Sequence, residues 1–365
     1  MTNPYCGRLR EVEEAQERVL EALVRIYART RFGLENGAEP DMDLDGFRRA
    51  FKPRSYAEFK HHIAEALKGN FEALLAGEPE FFGITSGTTG PPKVVPIPGY
   101  DVEHRLRAMR ECWPHLQAPL RGPCIAPCLP SSVKCIHIRG REIPCGYISG
   151  INAEIMARFR GLGEFLKPYL EEVNRIGPGI SKEDWDKRFK ALMKVLEGLN
   201  ARMALGAAPA LWMFARWLKR TEGAWPKDLW DIEFVLVAGV PGIWDYYRPD
   251  LTKMYGKEAL VVEAYGATEG LFAISRPGEP YLVPLYGSYL FEVRVGGQIK
   301  MLYEMKAGEV GSIIISTPVF PRYEIGDLVA CYRDGLYFRV LGRDKQATRV
   351  RIGFSRLLER LVAFF

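Results

Sequence analysis

Apolar side chains in the first 80 residues recur every three to four positions, which is the spacing of an amphipathic helix. The clearest case runs from Val12 to Tyr27, and acidic residues crowd its first turn, where a helix favours negative charge. A second helix is predicted over residues 57–75, where the adjacent His61 and His62 point to different sides. We therefore expect residues 1–80 to form a helical region of the main domain, with both histidines at the surface.

Beyond residue 80 the pattern changes from helices alone to alternating strands and helices. Helices are predicted over 181–199, with Ser181 as the cap, and over 208–220. The apolar runs IEFVLVAGV and ALVVEAYG, joined by a segment of helical length, are typical of a buried parallel sheet. After Glu269, short strands alternate with turn signals such as Asp334-Gly335. Residues 81–343 are thus predicted to be an α/β core with parallel-rich sheets, followed by a β-rich section.

Composition and charge narrow the class of protein only slightly. The 365 residues are 47% hydrophobic and 26% charged, as in ordinary globular proteins, and the formal net charge is +5. This mild excess, without a clustered basic face, does not favour a nucleic-acid partner. No apolar run approaches the length that crosses a bilayer, and the N-terminus has no apolar signal core. We expect a cytoplasmic protein with no membrane partner.

Seven cysteines are spread along the chain, and five residues between 124 and 145 form one cluster that could bind zinc. The C-x3-C spacing at its start suits zinc, but the later spacings fit no tight pair of ligands. Small, partly buried thiols are the alternative, since cysteine is often buried without a role. The sequence leaves both open for Cys124, Cys128, Cys135, His137 and Cys145.

The most informative stretch is the loop TSGTTGPPK, which follows the short strand EFFGI. Glycines let successive backbone N–H groups turn towards one point, hydroxyls add donors, and a lysine adds a full positive charge for phosphate oxygens. A flexible linker would need neither the strand before the loop nor the lysine after it. The loop is not a Walker motif, because two prolines separate its last glycine from the lysine. It is a candidate phosphate site made of Thr85, Ser86, Gly87, Thr88, Thr89, Gly90 and Lys93.

Three later segments complete the candidate chemistry. The hexapeptide YGATEG ends an apolar strand, where ligands of open α/β sheets bind, and Glu269 supplies a hard oxygen ligand suited to Mg2+. In RYEIGD, Asp327 follows a glycine turn and is able to accept two ribose hydroxyl protons. Arg343, in LGRD, is able to meet phosphate or ribose oxygens.

In this order, the four segments resemble the adenylate-forming superfamily of acyl-CoA ligases, luciferases and nonribosomal-peptide adenylation domains. The resemblance runs from about Phe81 to Arg351, and TSGTTGPPK is its most specific motif. Finer features look like the acyl-amido synthetase branch, with aryl-CoA ligases as the alternative. The finer features are the segments IPCGYISG, AGVPGIWDYY and LYGSYLFEV.

The resemblance implies the fold of the large N-terminal domain of adenylate-forming enzymes. It also implies a reaction and a role for each candidate residue. ATP and Mg2+ would activate a carboxylic acid as an acyl-adenylate, which an amine or a thiol then attacks. Residues 85–90 and Lys93 would hold the β- and γ-phosphates, Thr268 the α-phosphate, and Glu269 the metal. The ribose would lie at Asp327 with support from Arg343. The adenine would lie against Ala238, Gly239 and Val240, with Tyr265, Gly266 and Ala267 beside it.

Members of this superfamily normally continue past a hinge, near Lys345 here, into a mobile C-terminal domain. Residues 344–365 are expected to be that hinge and a remnant of the domain, whose apolar face includes Leu357 and Leu361. The resemblance therefore leaves three possibilities: a fragment, a separate chain that supplies the domain, or weak activity without it. A non-catalytic nucleotide- or acyl-binding protein is the alternative from a different functional class.

Overall fold

The structure, a computed structural model, describes residues 9–85, 93–116, 121–240, 242–332 and 335–343. Within these ranges the backbone forms a four-stranded and an eleven-stranded β-sheet with helices packed around them. Buried apolar side chains from both sheets belong to one continuous core cluster. The mixed α/β class predicted from the sequence is therefore confirmed.

Four helices make up the N-terminal region, and the first lies where its periodicity predicts. Its apolar positions, including Val12 and Leu23, are buried. The second predicted helix is wrong in length, because it ends at Leu67 and a separate 3-10 turn follows at Phe71–Ala73. Gly69, with φ of +100°, breaks the helix, since that conformation does not continue a right-handed turn. The helices are α1 (Leu9–Tyr27), α2 (Arg31–Glu35), α3 (Leu44–Ala50) and α4 (Tyr56–Leu67).

The smaller sheet has the strand order β2-β1-β5-β4 and carries the two ends of the predicted phosphate loop. Only β1 and β5 run parallel, and Ile84 pairs with Tyr147 at the end of that ladder. The other neighbours are antiparallel. The strands are β1 (Pro79–Ile84), β2 (Val94–Pro98), β4 (Lys134–Ile138) and β5 (Arg141–Tyr147), while β3 (Cys124–Ile125) joins the larger sheet.

One end of the larger sheet is parallel, as predicted for its two apolar runs. Neighbours β3, β6, β7 and β8 run in the same direction, and α11 (Arg248–Tyr255), preceded by a π-helical turn, connects the last two. Parallel strands of this kind are buried on both faces, which explains their continuous Val and Leu content. The strands are β6 (Met203–Ala207), β7 (Phe234–Ala238) and β8 (Leu260–Ala267).

The rest of the larger sheet is antiparallel and forms the β-rich section predicted after Glu269. Its strand order is β12-β11-β13-β14-β15-β10-β9, and β9 pairs with β8 to join the two parts. The predicted turn at Gly296-Gly297 connects β11 to β12, and β14 pairs with β15 on either side of Gly335. The strands are β9 (Gly270–Ser275), β10 (Leu282–Pro284), β11 (Leu290–Val295), β12 (Gln298–Met301), β13 (Val310–Ser316), β14 (Tyr323–Cys331) and β15 (Phe338–Arg343).

The remaining helices cover these sheets, and their ends follow local capping rules. Helix α8 starts after Ser181, whose hydroxyl accepts the Asp184 N–H while the Asp184 carboxylate accepts the Ser181 N–H. None of the helices in the described part of the chain has the length and apolar character needed to cross a bilayer. The helices are α5 (Gly99–Leu116), α6 (Ile148–Met156), α7 (Gly163–Ile176), α8 (Lys182–Val195), α9 (Ala208–Thr221) and α10 (Pro226–Leu229).

Of the five residues weighed as zinc ligands, four are divided between the two sheets, and Cys128 lies in the segment between β3 and β4. Cys124 lies on β3 of the larger sheet, whereas Cys135, His137 and Cys145 lie on β4 and β5 of the smaller one. His137 is exposed and its ring nitrogen lies 2.8 Å from the Glu142 carboxylate. Over the described ranges, no three or more His, Cys, Asp or Glu side chains are grouped to hold a metal ion.

Candidate active site

The phosphate loop is closed at its base by hydrogen bonds between its two ends. The Thr85 N–H donates to the Lys93 carbonyl at 3.1 Å, and the Lys93 N–H donates to Thr85 Oγ1 at 2.9 Å. These bonds extend the β1–β2 ladder, whose last pair is Ile84 with Val94. The base therefore holds Thr85 next to Lys93. The predicted phosphate ligands between them, Ser86, Gly87, Thr88, Thr89 and Gly90, lie outside the described residues.

The ammonium group of Lys93 lies between two tyrosines. Its Nζ donates to the Tyr323 hydroxyl at 3.3 Å and lies 5.0 Å from the centre of the Tyr56 ring. The distance to Tyr56 is within the range of a cation–π interaction. Lys93 is thus held beside β14, which carries the predicted ribose-binding aspartate.

Thr268 and Glu269 are the two residues of a tight turn between β8 and β9. Ala267 pairs with Gly270 across the turn, so Thr268 and Glu269 occupy the tip of the hairpin. The turn lies against β1, because a Cβ added at Gly83 would be 2.9 Å from Thr268 Cγ2. The strand that leads into the phosphate loop therefore contacts the predicted α-phosphate ligand directly.

A buried ion pair on α5 supports this turn from behind. Arg105 donates to the Asp101 carboxylate at 2.9 Å and to the Thr268 carbonyl at 2.8 Å. Both side chains are only 2% exposed. A hydrogen bond from a charged donor to a backbone carbonyl is stronger than a neutral one, so Arg105 fixes the turn that presents Glu269.

The predicted ribose site is a group of three side chains, in which Tyr265 and Asp327 are buried and Arg343 is partly exposed. The Tyr265 hydroxyl donates to Asp327 Oδ2 at 2.8 Å, and Arg343 Nε lies 3.2 Å from Asp327 Oδ1. Burial raises the pKa of the Asp327 carboxyl, and the charge of Arg343 opposes that rise. Burial also raises the pKa of the Tyr265 hydroxyl well above its ordinary value, so Tyr265 remains a donor. The β14–β15 ladder creates this arrangement by pairing Asp327 with Arg343.

The predicted adenine segment follows β7, the neighbour of β8. Val237 pairs with Glu263 in this parallel ladder, so Gly239, two residues further on, is level with Tyr265. Ala238 is the last residue of β7, and Gly239, whose φ of +90° suits glycine, ends the strand before Val240. Gly266 and Ala267 continue β8 towards the hairpin turn. All these residues lie at the carboxyl edge of the parallel strands, where ligands of α/β sheets bind.

The described residues of all four segments converge. Lys93, Glu269 and Asp327, far apart in the chain, lie near one another. Lys93 donates to Tyr323, which begins the strand that carries Asp327, and the charge of Glu269 acts on both Tyr323 and Asp327. Sequence reasoning missed the supporting side chains of Tyr56, Arg105 and Tyr323, and it missed the half-buried Glu263. Tyr323 stands inside RYEIGD, yet its role is visible only from contacts made across the fold.

The oxygen donors at the hairpin turn fit a magnesium ion. Mg2+ is usually bound by one or two carboxylates and by phosphate oxygens, with water completing the shell. Glu269 offers a carboxylate that is already buried, and Lys93 on the far side of Tyr323 suits the phosphates. The residues present therefore match Mg2+ bound together with a nucleotide.

Comparison with solved structures identifies the class of fold. The GH3.15 acyl acid amido synthetase superimposes with a TM-score of 0.68 at 15% identity, over 92% of this chain and 68% of that one. A 2-hydroxyisobutyryl-CoA ligase in complex with 2-HIB-AMP and CoA gives 0.63 at 15% identity, over 93% and 69%. This chain therefore shares its fold with most of the length of both proteins, as the resemblance in the motifs predicts.

A family model matches part of the sequence. Residues 8–118 match the model of the GH3 family N-terminal domain. A comparison with curated proteins found no match. The comparisons give no support to a separate chain that supplies a C-terminal domain.

Proposed function

We propose that this protein binds ATP with Mg2+ and activates a carboxylic acid as an acyl-adenylate. The observation that carries the proposal is that Lys93, Glu269 and Asp327 lie near one another, in a fold shared with an acyl acid amido synthetase. Lys93 and residues 85–90 would bind the β- and γ-phosphates, Thr268 the α-phosphate, and Asp327 with Arg343 the ribose. Glu269 would hold Mg2+, which neutralises phosphate charge when bound.

In the proposed step, a carboxylate oxygen of the acid attacks the α-phosphorus, and pyrophosphate leaves with its electron pair. The carboxylate is already a nucleophile, so the protein needs no general base. Its contribution is to align the two reactants and to stabilise the charge on the phosphates. The fixed cation of Lys93 and the buried turn at Thr268 and Glu269 suit that task.

For the second half of the reaction we propose transfer of the acyl group to an amine. The proposal rests on the match of residues 8–118 to the GH3 family N-terminal domain and on the similarity to an acyl acid amido synthetase. Transfer to the thiol of coenzyme A is the second candidate, favoured by the comparable similarity to a structure that contains CoA. Mass spectrometry of reactions given amino acids or CoA separates the two, because one yields an amide and the other a thioester.

Exchange of labelled pyrophosphate into ATP tests the activation step, since exchange needs only the first half of the reaction. We expect exchange that depends on Mg2+ and on one acid from a panel of aryl, indolyl and short aliphatic acids. Binding of ATP without exchange under any acid would favour a non-catalytic nucleotide-binding protein. A folded protein that neither binds ATP nor exchanges pyrophosphate would contradict the proposal.

A further inference from the structure

Tyr323 lies beside two side chains that the proposed function assigns to different parts of the nucleotide. Its hydroxyl accepts a hydrogen bond from Lys93 Nζ at 3.3 Å, and burial together with the charge of the nearby Glu269 carboxylate raises the pKa of that hydroxyl. The side chain is buried, and its ring stacks on Phe320 at a centroid distance of 5.3 Å. One hydroxyl group therefore interacts with both the phosphate-binding cation and the metal-binding carboxylate.

The backbone immediately before Tyr323 is held in an uncommon conformation. Arg322 has φ of +47°, the left-handed region that a residue with a bulky side chain rarely adopts. Its guanidinium binds the buried Glu292 carboxylate through two nitrogens, at 2.7 and 3.0 Å, and donates to the Phe51 carbonyl at 2.8 Å. Such conformations persist where the surroundings over-determine them, and they cluster at functional sites.

A segment before α4 fixes the backbone on both sides of Tyr323. The Arg54 N–H donates to the Arg322 carbonyl at 3.0 Å, and the Glu324 N–H donates to the Arg54 carbonyl at 2.8 Å. Tyr323 is also paired with Ile315 of β13. The start of β14 is therefore bonded to two different elements, so the tyrosine cannot shift without breaking several hydrogen bonds.

Lys93 is secured independently by Tyr56, at the start of α4. The Tyr56 hydroxyl donates to the Val94 carbonyl at 2.9 Å and accepts the Val94 N–H at the same distance, while its ring faces Lys93 Nζ. Lys93 is thus held at its backbone neighbour and at its ammonium group before any nucleotide enters.

We propose that Tyr323 is a positioning residue that aligns Glu269 with Lys93, so that Mg2+ and the phosphates of ATP bind to one prearranged unit. This inference rests on the proposed function and adds a specific requirement to it. Without the hydroxyl, Lys93 loses a hydrogen-bond partner and the Glu269 carboxylate loses the polar group beside it. The Mg2+-dependent binding of ATP should then weaken more than the stability of the fold does.

Calorimetric titration with α,β-methylene-ATP at a series of Mg2+ concentrations tests the inference. We expect Tyr323→Phe to raise the Mg2+ concentration for half-maximal binding by about tenfold, the effect of one hydrogen bond to a charged group. Tyr255→Phe is the matched control, because Tyr255 is also buried and its hydroxyl donates to the Leu211 carbonyl on a different element. The Tyr255→Phe control should keep the wild-type Mg2+ dependence. The midpoints of thermal unfolding of the two variants show whether each is folded.

A double-mutant cycle with Glu269→Gln separates positioning from general packing. If Tyr323 acts through Glu269, the double variant should bind the analogue no more weakly than Glu269→Gln alone, because coupled residues are not additive. Additive losses, or a Tyr323→Phe variant with wild-type Mg2+ dependence, would overturn the inference and leave the proposed function standing. Wild-type protein that does not bind the analogue at any Mg2+ concentration would overturn both.

Discussion

At the scale of single residues, the candidate site contains few charges, and each is held by a named partner. Lys93 is held by two tyrosines, Asp327 by Tyr265 and Arg343, and the turn at Glu269 by Arg105. Charges fixed before the ligand binds need little reorganisation when charge develops on the phosphates. The site is therefore preorganised, and loss of one charged side chain should affect the chemistry more than the fold.

Replacement of Lys93 by alanine should lower pyrophosphate exchange at least tenfold, which corresponds to about 1.4 kcal/mol of activation free energy. The reason is the loss of the fixed cation that faces the phosphates. The measurement compares exchange rates at saturating acid, with circular dichroism to show that the fold is kept. Lys60→Ala is the matched control, because Lys60 is exposed on α4. Equal rates for Lys93→Ala and wild type would place the phosphates elsewhere.

Gly83 tests the contact between β1 and the hairpin turn. A Cβ at this position would lie 2.9 Å from Thr268 Cγ2 and 3.3 Å from Ile97 Cδ1, so Gly83→Ala must displace the turn or the strand. Overpacking of this kind costs about 1–3 kcal/mol of stability. We expect the rate of pyrophosphate exchange to fall as well. Gly77→Ala is the control, since its Cβ would meet Tyr100 at an ordinary 3.6 Å. A Gly83→Ala enzyme as active as Gly77→Ala would show that Thr268 tolerates displacement.

At the scale of elements, the ends of strands and one helix are what bring the site together. Helix α5 contributes the Asp101–Arg105 pair, one helical turn apart, and β8 and β9 contribute the turn that this pair supports. The four-residue spacing of the pair is visible in the sequence, but its burial is not. Ser181 was predictable as the cap of α8 because a cap depends on neighbouring residues. The hydrogen bond between Lys93 and Tyr323 was not predictable, because it joins residues 230 positions apart.

Removal of the Arg105 charge should destabilise the protein strongly. Arg105→Met leaves the Asp101 carboxylate buried without its partner, a change that typically costs about 3–5 kcal/mol. Urea unfolding measures the loss, and Asp101→Asn in the same chain should recover part of it. Arg107→Met, on the exposed face of α5, should change stability by no more than about 0.5 kcal/mol. If Arg105→Met also lost no more than about 0.5 kcal/mol of stability, the Asp101–Arg105 pair would not support the turn.

Glu263 on β8 should give the protein a stability that depends on pH. Burial raises the pKa of its carboxyl from 4.5 to about 7; Arg339 opposes the rise, and Asp245, which pairs with Arg339 at 2.9 Å, adds to it. The folded state therefore keeps a proton that the unfolded state loses near pH 4.5. The free energy of unfolding should fall as pH rises from about 5 to 7, by at most about 3 kcal/mol.

The control for this effect is Glu263→Gln, which has no proton to lose. Urea unfolding of both proteins at pH 5, 6, 7 and 8 gives the difference in free energy at each pH. We expect the glutamine variant to gain relative stability as the pH rises and to level off above pH 7. Parallel pH profiles for the two proteins would mean that water or a cation reaches Glu263 and that its charge is not costly.

At the scale of the whole molecule, the sequence predicted the class of fold, and the described candidate residues lie near one another, but the sequence did not predict how they are held. Periodicity and turn signals identified the parallel strands β7 and β8 and the hairpins that follow, because those signals are local. The early end of α4 at Leu67 was missed, since one glycine outweighed an apolar spacing that continues beyond it. Tyr56 and Tyr323 were missed because each acts through a contact with another part of the fold.

We propose that the loop ended by Thr85 and Lys93 binds a triphosphate whose metal is held by Glu269. A crystal structure of the protein with α,β-methylene-ATP and Mg2+ would show whether it does. We expect the β- and γ-phosphates within hydrogen-bond distance of Lys93 Nζ, Mg2+ bound by Glu269, and the ribose hydroxyls on Asp327. A nucleotide bound elsewhere, or bound here with its phosphates turned away from Lys93, would mean that the proposed function is wrong.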